Sequence, residues 1–155
     1  MANKEVRLEP VSWENIDDVI ATSDSGEGFF DLPRDDDAAE RFISRAHNNM
    51  RQGKGGVFNA YAAQDVFVGG GQIYDMHETI QIGYWVALSK RRQGFGRAIL
   101  TALEREARET LPVRESFELE IRSQNMASLA LAVTMGYTFL QTREDGVMMY
   151  RKGRS

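Results

Sequence analysis

Apolar residues recur along the chain with two spacings, and each spacing predicts one kind of element. Between residues 115 and 123 every second residue is apolar, which is typical of a β-strand with one buried face. Six further segments are strand candidates, namely residues 6–8, 57–63, 66–75, 79–87, 137–141 and 147–151. Toward Trp85 both faces of the segment at 79–87 become apolar, which favours a strand that is covered on both sides.

Apolar residues at helical spacing predict four helices. The first opens at Ser12 or Trp13, the second covers residues 37–50, the third follows a glycine-containing loop and stops at Pro112, and the fourth covers residues 125–135. The predicted core-facing residues of the second and third helices are Ala38, Phe42, Ile43 and Ala46, and Ile99, Leu100, Leu103, Ala107 and Leu111. An aspartate of the run at 35–37 and Asn125 are predicted N-caps, and residues 23–30 are predicted to form a loop.

The order of these elements predicts the fold. Three strands between residues 57 and 87 are joined by short turns, so we expect an antiparallel meander. The strand at 79–87, the third helix and the strand at 115–123 form a crossover, which predicts a parallel pair. Three consecutive glycines at 69–71 predict a bulge or a neighbour that approaches the backbone closely. The predicted fold class is α/β (α+β), with a mixed, mostly antiparallel central sheet and helices on both faces.

The length of the chain predicts one domain that comprises residues 1–155. The hydrophobic fraction of 42% and the charged fraction of 27% are ordinary for a globular protein. A net charge of −4 argues against a general nucleic-acid-binding surface, so the basic residues 90–92 are a local feature. An RNA-binding domain that used them would show an affinity that falls steeply with salt.

Residue types that are absent or rare narrow the chemistry further. The chain has no cysteine, which excludes disulfides, thiolate metal sites and cysteine nucleophiles. Its two histidines are too isolated to predict a zinc site, so we expect no metal. Neither an apolar run of about 18 residues nor a signal-peptide core occurs, so we expect a cytoplasmic protein without a membrane partner.

Between residues 84 and 111 an apolar strand passes through a basic, glycine-containing loop into an amphipathic helix. Gly94 and Gly96 let the backbone turn sharply and approach a ligand closely. The helix directs its free N–H groups and the positive end of its dipole at the same loop, where several arginines add positive charge. This combination is suited to hold a pyrophosphate. The alternative is an ordinary strand–turn–helix link whose glycines only permit the turn.

The loop pattern Arg-x-x-Gly-x-Gly at 91–96 resembles the acetyl-CoA motif of the GNAT superfamily of N-acetyltransferases. Three segments match that superfamily in order: residues 84–86 ahead of the loop, residues 119–122 leading to Asn125, and Asn125-x-x-Ser128 with a Gly-Tyr pair eleven and twelve residues after the asparagine. The Gly-Tyr-Trp strand, the Asn-x-x-Ser pattern and the long N-terminal helical part are similar to the ribosomal-protein N-acetyltransferase branch. The resemblance covers nearly the whole chain and implies the GNAT fold.

The resemblance implies that the chain binds acetyl-CoA as co-substrate in this region. The main chain of Trp85 and Val86 is expected to pair with the amides of the pantetheine arm, as a surrogate strand would. Backbone amides from Arg92 to Arg97 are expected to hold the pyrophosphate, and Asn125 to offer its amide to the cofactor arm, with helix capping alone as the alternative for Asn125. The predicted cofactor-binding positions are Trp85, Val86, Arg91, Arg92, Gln93, Gly94, Phe95, Gly96, Arg97 and Asn125.

The implied chemistry needs an amine that has lost its proton, and Glu120 stands at the position that carries the base in some relatives. Glu118 is its neighbour on the same face and a second candidate, and a row of solvated charges is the alternative for both. Many relatives have a tyrosine that acts as the general acid at the position seven residues after the asparagine, where this chain has Ala132. Ser128 stands where the ribosomal-protein branch has a serine, and it is the predicted acid for the departing thiolate, directly or through water. The alternative for Ser128 is a residue of the first helical turn without a catalytic role.

Four further residues or segments have predicted roles. A backbone N–H near Val86 is predicted to stabilise the oxyanion. Tyr84 and Tyr137 are predicted to be core aromatics rather than acids. The aspartates at 35–37 are predicted to cap a helix, although negative charge beside a cationic amine is a second interpretation.

The leading functional hypothesis is an acetyl-CoA-dependent N-acetyltransferase that acts on a primary amine. The acceptor is either a peptide or protein N-terminus or a small amine such as a polyamine. A non-catalytic acyl-CoA-binding sensor is the alternative from another class, and the alanine at position 132 favours it. The expected partners are therefore amine-bearing molecules and not nucleic acids, and exposed apolar surface leaves a homodimer open.

Overall fold

The computed structural model describes residues 4–23 and 32–153, and a seven-stranded sheet forms the centre of these ranges. The strands are β1 Arg7–Pro10, β2 Gly55–Ala62, β3 Val66–Asp75, β4 Thr79–Val86, β5 Ser116–Arg122, β6 Thr138–Thr142 and β7 Val147–Gly153. Their spatial order is β1-β2-β3-β4-β5-β7-β6. Among the described strands only β4 and β5 pair in parallel, which confirms the predicted mixed, mostly antiparallel sheet.

Helices lie between the strands in the predicted order. They are α1 Ile16–Ser23, α2 Asp36–Arg51, α3 Phe95–Thr110 and α4 Met126–Thr134. The first helix begins later than predicted because Ser12 and Asn15 bond each other in a preceding turn, with the Ser12 N–H 2.8 Å from Asn15 Oδ1. Asp35 caps α2 as predicted, and the loop predicted at 23–30 lies outside the described residues apart from Ser23, which ends α1. No helix in the described part of the chain is long and apolar enough to cross a membrane.

Two apolar clusters cover the two faces of the sheet, which confirms the prediction of helices on both sides. The larger cluster contains the predicted stripe of α3, in which Ile99, Leu100 and Leu103 are fully buried. The smaller cluster joins α1 and α2 to the indole of Trp85 on the opposite face. In α2 the buried face runs through Ala39 rather than the predicted Ala38, because the helix presents residues 39, 43 and 46 to the sheet.

The three glycines of β3 make room for neighbours, as their spacing predicts. A Cβ on Gly69 would lie 2.2 Å from the carbonyl oxygen of Trp85, and one on Gly70 would lie 2.5 Å from the Trp85 ring. A Cβ on Gly71 would lie 2.4 Å from the Leu103 side chain. The pairing of β2 with β3 also shifts register at residues 60 and 61, so both the predicted close approach and the predicted irregularity occur.

A buried carboxylate links α3 to Tyr137, which precedes β6, and to Lys152 of β7. Glu104 is 4% exposed, and it accepts a hydrogen bond from the Tyr137 hydroxyl at 2.6 Å. The Lys152 ammonium lies 2.8 Å from the same Glu104 oxygen, which completes the pair. Burial, followed by the charge of Glu104, raises the pKa of Tyr137, so the phenol keeps its proton. Tyr137 is therefore the core aromatic that the sequence predicts, and its hydroxyl is committed to Glu104.

A second ion pair joins the end of β3 to the segment before β5. The Arg114 guanidinium contacts both oxygens of Asp75, at 2.8 and 2.7 Å, and Asp75 is 8% exposed. The hydrogen bond from Arg114 is the largest cause that lowers the pKa of Asp75 to about 2 from a usual value of 3.8. A carboxylate whose pKa is lowered on folding stabilises the folded state above its unfolded pKa, and this contribution is lost as the pH falls through the folded pKa.

We therefore expect Arg114→Gln to lower the free energy of unfolding by about 2 kcal/mol at neutral pH. The difference from the wild type should shrink below about pH 4 and be lost as the pH falls below about 2, where Asp75 becomes protonated in both states. Urea denaturation at a series of pH values measures it. The exposed Arg105 of α3 provides the matched control, because Arg105→Gln removes the same charge without touching Asp75. Equal destabilisation by both variants at all pH values would contradict the assignment.

Candidate active site

Strands β4 and β5 separate part of the way along their length. They are paired from Thr79–Ser116 to Ile82–Leu119, and no pairing between them continues beyond that point in the described chain. Past it, β4 pairs only with β3, and β5 pairs only with β7. A notch therefore opens at the centre of the sheet, bounded by residues 83–86 of β4 and 120–122 of β5.

The hydrogen-bond register decides which main-chain groups of β4 face this notch. The Ala87 N–H donates to the Val68 carbonyl at 2.9 Å, just beyond the last pair of β3 and β4, so Val86 occupies a non-hydrogen-bonded position. Directions alternate along an antiparallel strand, so the main-chain groups of Tyr84 and Val86 point away from β3 and into the notch. Those of Trp85 point to β3. The sequence names Trp85 and Val86 together, but this register leaves the main chain of Val86, with that of Tyr84, for a ligand.

The loop that follows β4 turns through two left-handed residues. After a 3₁₀ turn at Leu88–Lys90, the φ of Arg92 is 62° and the φ of Gly94 is 87°. Gly94 directly precedes α3, and the nearest atom to a Cβ there would belong to the Lys4 side chain, at an ordinary contact distance of 3.7 Å, so glycine is used for its conformation rather than for space. The sequence predicts that both loop glycines permit the turn, but only Gly94 has a positive φ, since Gly96 already lies inside α3.

Gly96 marks the point where three elements meet. A Cβ at this position would lie 3.4 Å from Leu131 of α4, 3.5 Å from Tyr84 and 3.7 Å from Val86. The first turn of α3, the notch-facing residues of β4 and the inner side of α4 therefore converge here. The first N–H groups of α3 have no partner within the helix, and they are directed at the loop beside the notch.

Positive charge surrounds the loop from several parts of the chain. Arg91 Nε donates to the Val86 carbonyl at 3.1 Å, which ties the loop to the end of β4 and leaves the Val86 N–H for the notch. Lys4 adds a cation that the sequence does not reveal, with its Nζ 4.4 Å from the centre of the Phe95 ring. The exposed polar side chains of the loop and first turn are Arg92, Gln93 and Arg97. An anion at the start of α3 is thus favoured by both dipole and side-chain charge.

Helix α4 begins on the other side of the notch. Asn125 caps it, with Oδ1 accepting from the Ser128 N–H at 3.2 Å. The cap uses only the oxygen, so the Asn125 amide N–H₂ keeps its donors for a ligand. Ser128 Oγ accepts a hydrogen bond from the Tyr84 hydroxyl at 2.9 Å. The structure thus brings Ser128 together with the notch-facing strand, through a tyrosine that the sequence assigns only to the core.

Glu120 lies on the opposite face of the sheet. Its neighbours Leu119 and Ile121 belong to the larger apolar cluster, so its own side chain projects toward the side of α1 and α2. Gln81 Nε2 donates to Glu120 Oε1 at 2.7 Å, and the Arg143 guanidinium contacts the same oxygen at 2.9 Å. Neither donor contacts Oε2. The carboxylate is therefore held in place through one oxygen, Oε1.

Glu118, the second candidate for the base, is engaged differently. Its carboxylate pairs with Arg151 of β7 at 2.8 Å, and the residue is 8% exposed. The Glu120 side chain is also largely covered, at 13% exposure. The interpretation of this row as solvated charges is therefore wrong, because packing by β4 and β7 shields both carboxylates from water. Of the two, only Glu120 lies beyond Leu119, where the notch has opened.

The notch thus has a hydroxyl side and a carboxylate side. The Tyr84–Ser128 pair lies on the face covered by α3 and α4, and Glu120 lies on the face covered by α1 and α2. Ala132, seven residues after Asn125, is fully buried. A carbonyl carbon in the notch would have a proton acceptor on one side, a hydroxyl donor on the other and the Val86 N–H beside its oxygen. This arrangement suits transfer of an acyl group.

Comparisons with known proteins agree with this geometry. The model of the acetyltransferase (GNAT) domain matches residues 5–138, whereas no curated protein sequence matches the chain. The chain is similar in fold to the acetyltransferase that modifies the N-terminal serine of a 50S ribosomal subunit protein of Salmonella typhimurium, with 16% identity, 96% of this chain and 95% of that chain covered, and a TM-score of 0.78. It is similar to the yncA protein of Salmonella typhimurium with its cofactor acetyl-CoA, with 17% identity, 97% of this chain and 94% of that chain covered, and a TM-score of 0.75. It is also similar to a variant of the spermidine N-acetyltransferase of Vibrio cholerae, with 12% identity, 97% of this chain and 95% of that chain covered, and a TM-score of 0.74. The family match spans most of the chain, and the protein therefore belongs to the GNAT acetyltransferase domain family.

Proposed function

We propose that this chain is an acetyl-CoA-dependent N-acetyltransferase that moves the acetyl group directly to a primary amine in a ternary complex. The observation that carries the proposal is the notch between β4 and β5, with the Arg-x-x-Gly-x-Gly loop and the start of α3 at its open end. The family match and the similar structure that holds acetyl-CoA support it.

The described residues fit the parts of coenzyme A. Its extended arm carries amides, and the main-chain groups of Tyr84 that face the notch offer the pairing that a neighbouring strand would offer, while the Val86 N–H is left for the thioester oxygen. Its diphosphate fits the first N–H groups of α3, which follow Gly94 and lie near the Lys4 side chain. Asn125 has donors left for the arm after it has capped α4. Bound acetyl-CoA would supply a thioester carbonyl at the notch.

Glu120 is the proposed base for the acceptor amine. An alkylamine has a pKa of about 10 and is protonated at neutral pH, so a proton must leave before the nitrogen can attack. Glu120 Oε2 carries neither the Gln81 nor the Arg143 contact, and it accepts that proton. The Val86 N–H stabilises the negative charge that develops on the carbonyl oxygen. Ser128 Oγ–H then protonates the departing sulfur.

The acceptor enters on the Glu120 side in this proposal. Two of the similar structures belong to enzymes named for a ribosomal-protein N-terminal serine and for spermidine, and both of these acceptors are amines. The acidic first turn of α2, a helix that packs on this face, favours a cationic molecule there. We therefore propose a protein or peptide N-terminus, or a small polyamine, as the acceptor class.

An amine panel tests the proposal. We expect coenzyme A release from acetyl-CoA only when a primary amine is present, with one acetyl group gained by that amine in mass spectrometry. The panel contains peptides that begin with Ser, Ala or Met, each with an N-formylated copy as control, and spermidine. Release at the same rate without an amine, or with the formylated copies, would contradict transfer to an amine.

The second candidate is a non-catalytic sensor that binds acyl-CoA. The observation that favours it is Ala132, a fully buried methyl group at the position of the usual acid. Calorimetric titration with acetyl-CoA, run beside a single-turnover assay, separates the two. Tight binding with no transfer to any amine would favour the sensor, and no binding at all would contradict both candidates.

A further inference from the structure

Tyr84 and Ser128 form a hydroxyl pair at the edge of the notch. They lie 44 residues apart in the chain, yet the Tyr84 hydroxyl is 2.9 Å from Ser128 Oγ. The Tyr84 ring is partly buried against the larger apolar cluster, and its edge would be 3.5 Å from a Cβ on Gly96. The ring is thus fixed by packing, and its hydroxyl reaches the start of α4.

The direction of this hydrogen bond matters for Ser128. Each hydroxyl has one proton to donate, and a hydrogen bond between two hydroxyls uses the proton of only one of them. Because Tyr84 donates to Ser128 Oγ, the proton of Ser128 itself is left to point elsewhere. The Asn125 cap fixes the main chain of Ser128. The contact with Tyr84 then restricts rotation about the Ser128 Cα–Cβ bond. Burial raises the pKa of Tyr84, with the Ser128 contact acting in the opposite direction, so the phenol stays protonated and remains a donor at neutral pH.

Other hydroxyl groups near α4 do not offer this donation. The Tyr137 hydroxyl is committed to Glu104 at 2.6 Å, inside the core. Position 132 holds a buried alanine, so the helix itself supplies no phenol at the notch. Within residues 4–23 and 32–153, Tyr84 is the only tyrosine whose hydroxyl hydrogen-bonds to Ser128.

The geometry points to Tyr84 as the positioning residue of the leaving-group acid, donating to Ser128 Oγ so that the Ser128 proton is directed at the sulfur of coenzyme A. This inference rests on the proposed function. Glu120 first takes one proton from the ammonium form of the acceptor and releases it to water. The free amine nitrogen then forms its bond to the thioester carbon, the carbonyl π electrons move onto oxygen, and Glu120 takes the second proton that the nitrogen loses. As the carbon–sulfur bond breaks, its electron pair stays on sulfur, which receives the Ser128 proton. The Tyr84 proton moves to Ser128 Oγ, and water returns one proton to Tyr84 while another leaves Glu120.

A double-mutant cycle tests this assignment. We expect Tyr84→Phe to lower kcat by about 10- to 100-fold while the KM for acetyl-CoA stays within about twofold, because the ring that packs beside the cofactor arm is kept and only the donor is lost. Ser128→Ala should lower kcat at least as much. In the Ser128→Ala background, Tyr84→Phe should cost no further activity, since its partner is already gone. The solvent deuterium isotope effect on kcat should also fall in Tyr84→Phe.

Tyr150→Phe is the matched control, because Tyr150 is a buried ring of the same apolar cluster and lies on β7, away from the notch. It should keep the wild-type kcat. If the two losses multiply in the double variant, or if Tyr84→Phe keeps the wild-type kcat and isotope effect, the positioning role is overturned while the proposed function stands. If the wild type transfers acetyl to no amine, the proposed function fails, and the role of Tyr84 fails with it.

Discussion

Gly94→Glu should abolish coenzyme A binding, with a loss of affinity of more than about 100-fold in calorimetric titration. Two like charges about 5 Å apart repel by about 3 kcal/mol near a protein surface, which corresponds to a factor of this size. Gly94 directly precedes the first N–H groups of α3, so a carboxylate there competes for the donors proposed to hold the diphosphate. A Cβ at position 94 would lie 3.7 Å from the Lys4 side chain, an ordinary contact distance, so the new side chain need not displace the loop.

Two control variants separate charge from backbone strain. Gly94→Gln has the same shape and the same left-handed φ as Gly94→Glu but no charge, so it should lose much less affinity. Gly53→Glu places the same residue at a φ of 70°, in open space, in the turn after α2. It should bind coenzyme A as the wild type does. Unchanged affinity in Gly94→Glu would remove the loop from the proposed site.

Glu120→Gln should lower kcat/KM for the acceptor by about 100- to 1000-fold at pH 7. Without a base, the reaction depends on the small fraction of amine that is already unprotonated. This fraction rises about tenfold per pH unit up to the pKa of the amine, about 8 for a peptide N-terminus and about 10 for a lysine-like amine. The deficit of the variant should therefore shrink steadily as the pH approaches that value, in a profile measured with saturating acetyl-CoA.

Arg143→Gln provides the matched comparison, because it breaks the same ion pair and leaves the Glu120 carboxylate in place. It should cost less activity than Glu120→Gln and should not make the rate depend more steeply on pH. Glu118→Gln tests the second carboxylate. A pH-dependent loss in Glu118→Gln, with a wild-type profile in Glu120→Gln, would move the base to Glu118.

Much of the fold follows from local patterns in the sequence. Alternation over β5 and the apolar stripe of α3 each identify an element and its buried face, because burial of one face imposes the period. The crossover from β4 through α3 to β5 fixes their parallel pairing. The sequence pattern places the start of α1 too early. A hydrogen bond from the Ser12 N–H to the Asn15 side chain holds a turn there, and the spacing of apolar residues does not reveal this turn.

The candidate site is predictable where it is built from consecutive residues. The loop at 91–96 and the cap at Asn125 are local, so the sequence predicts the turn and the cap directly, and the resemblance implies their role in cofactor binding. Contacts between distant residues leave no such signal. Lys4 beside the loop, and Gln81 and Arg143 on Glu120, emerge only when the sheet brings separate strands and turns together.

The placement of Ser128 and Glu120 on opposite faces of one sheet has a consequence for inhibitor design. A single compound that mimics both reactants would have to thread between the separated strands, with its nucleotide half beside α3 and its amine half beside α1 and α2. The narrowest point of that passage is where the pairing of Ile82 with Leu119 ends, so a slim, unbranched tether should outperform a bulky one of equal length.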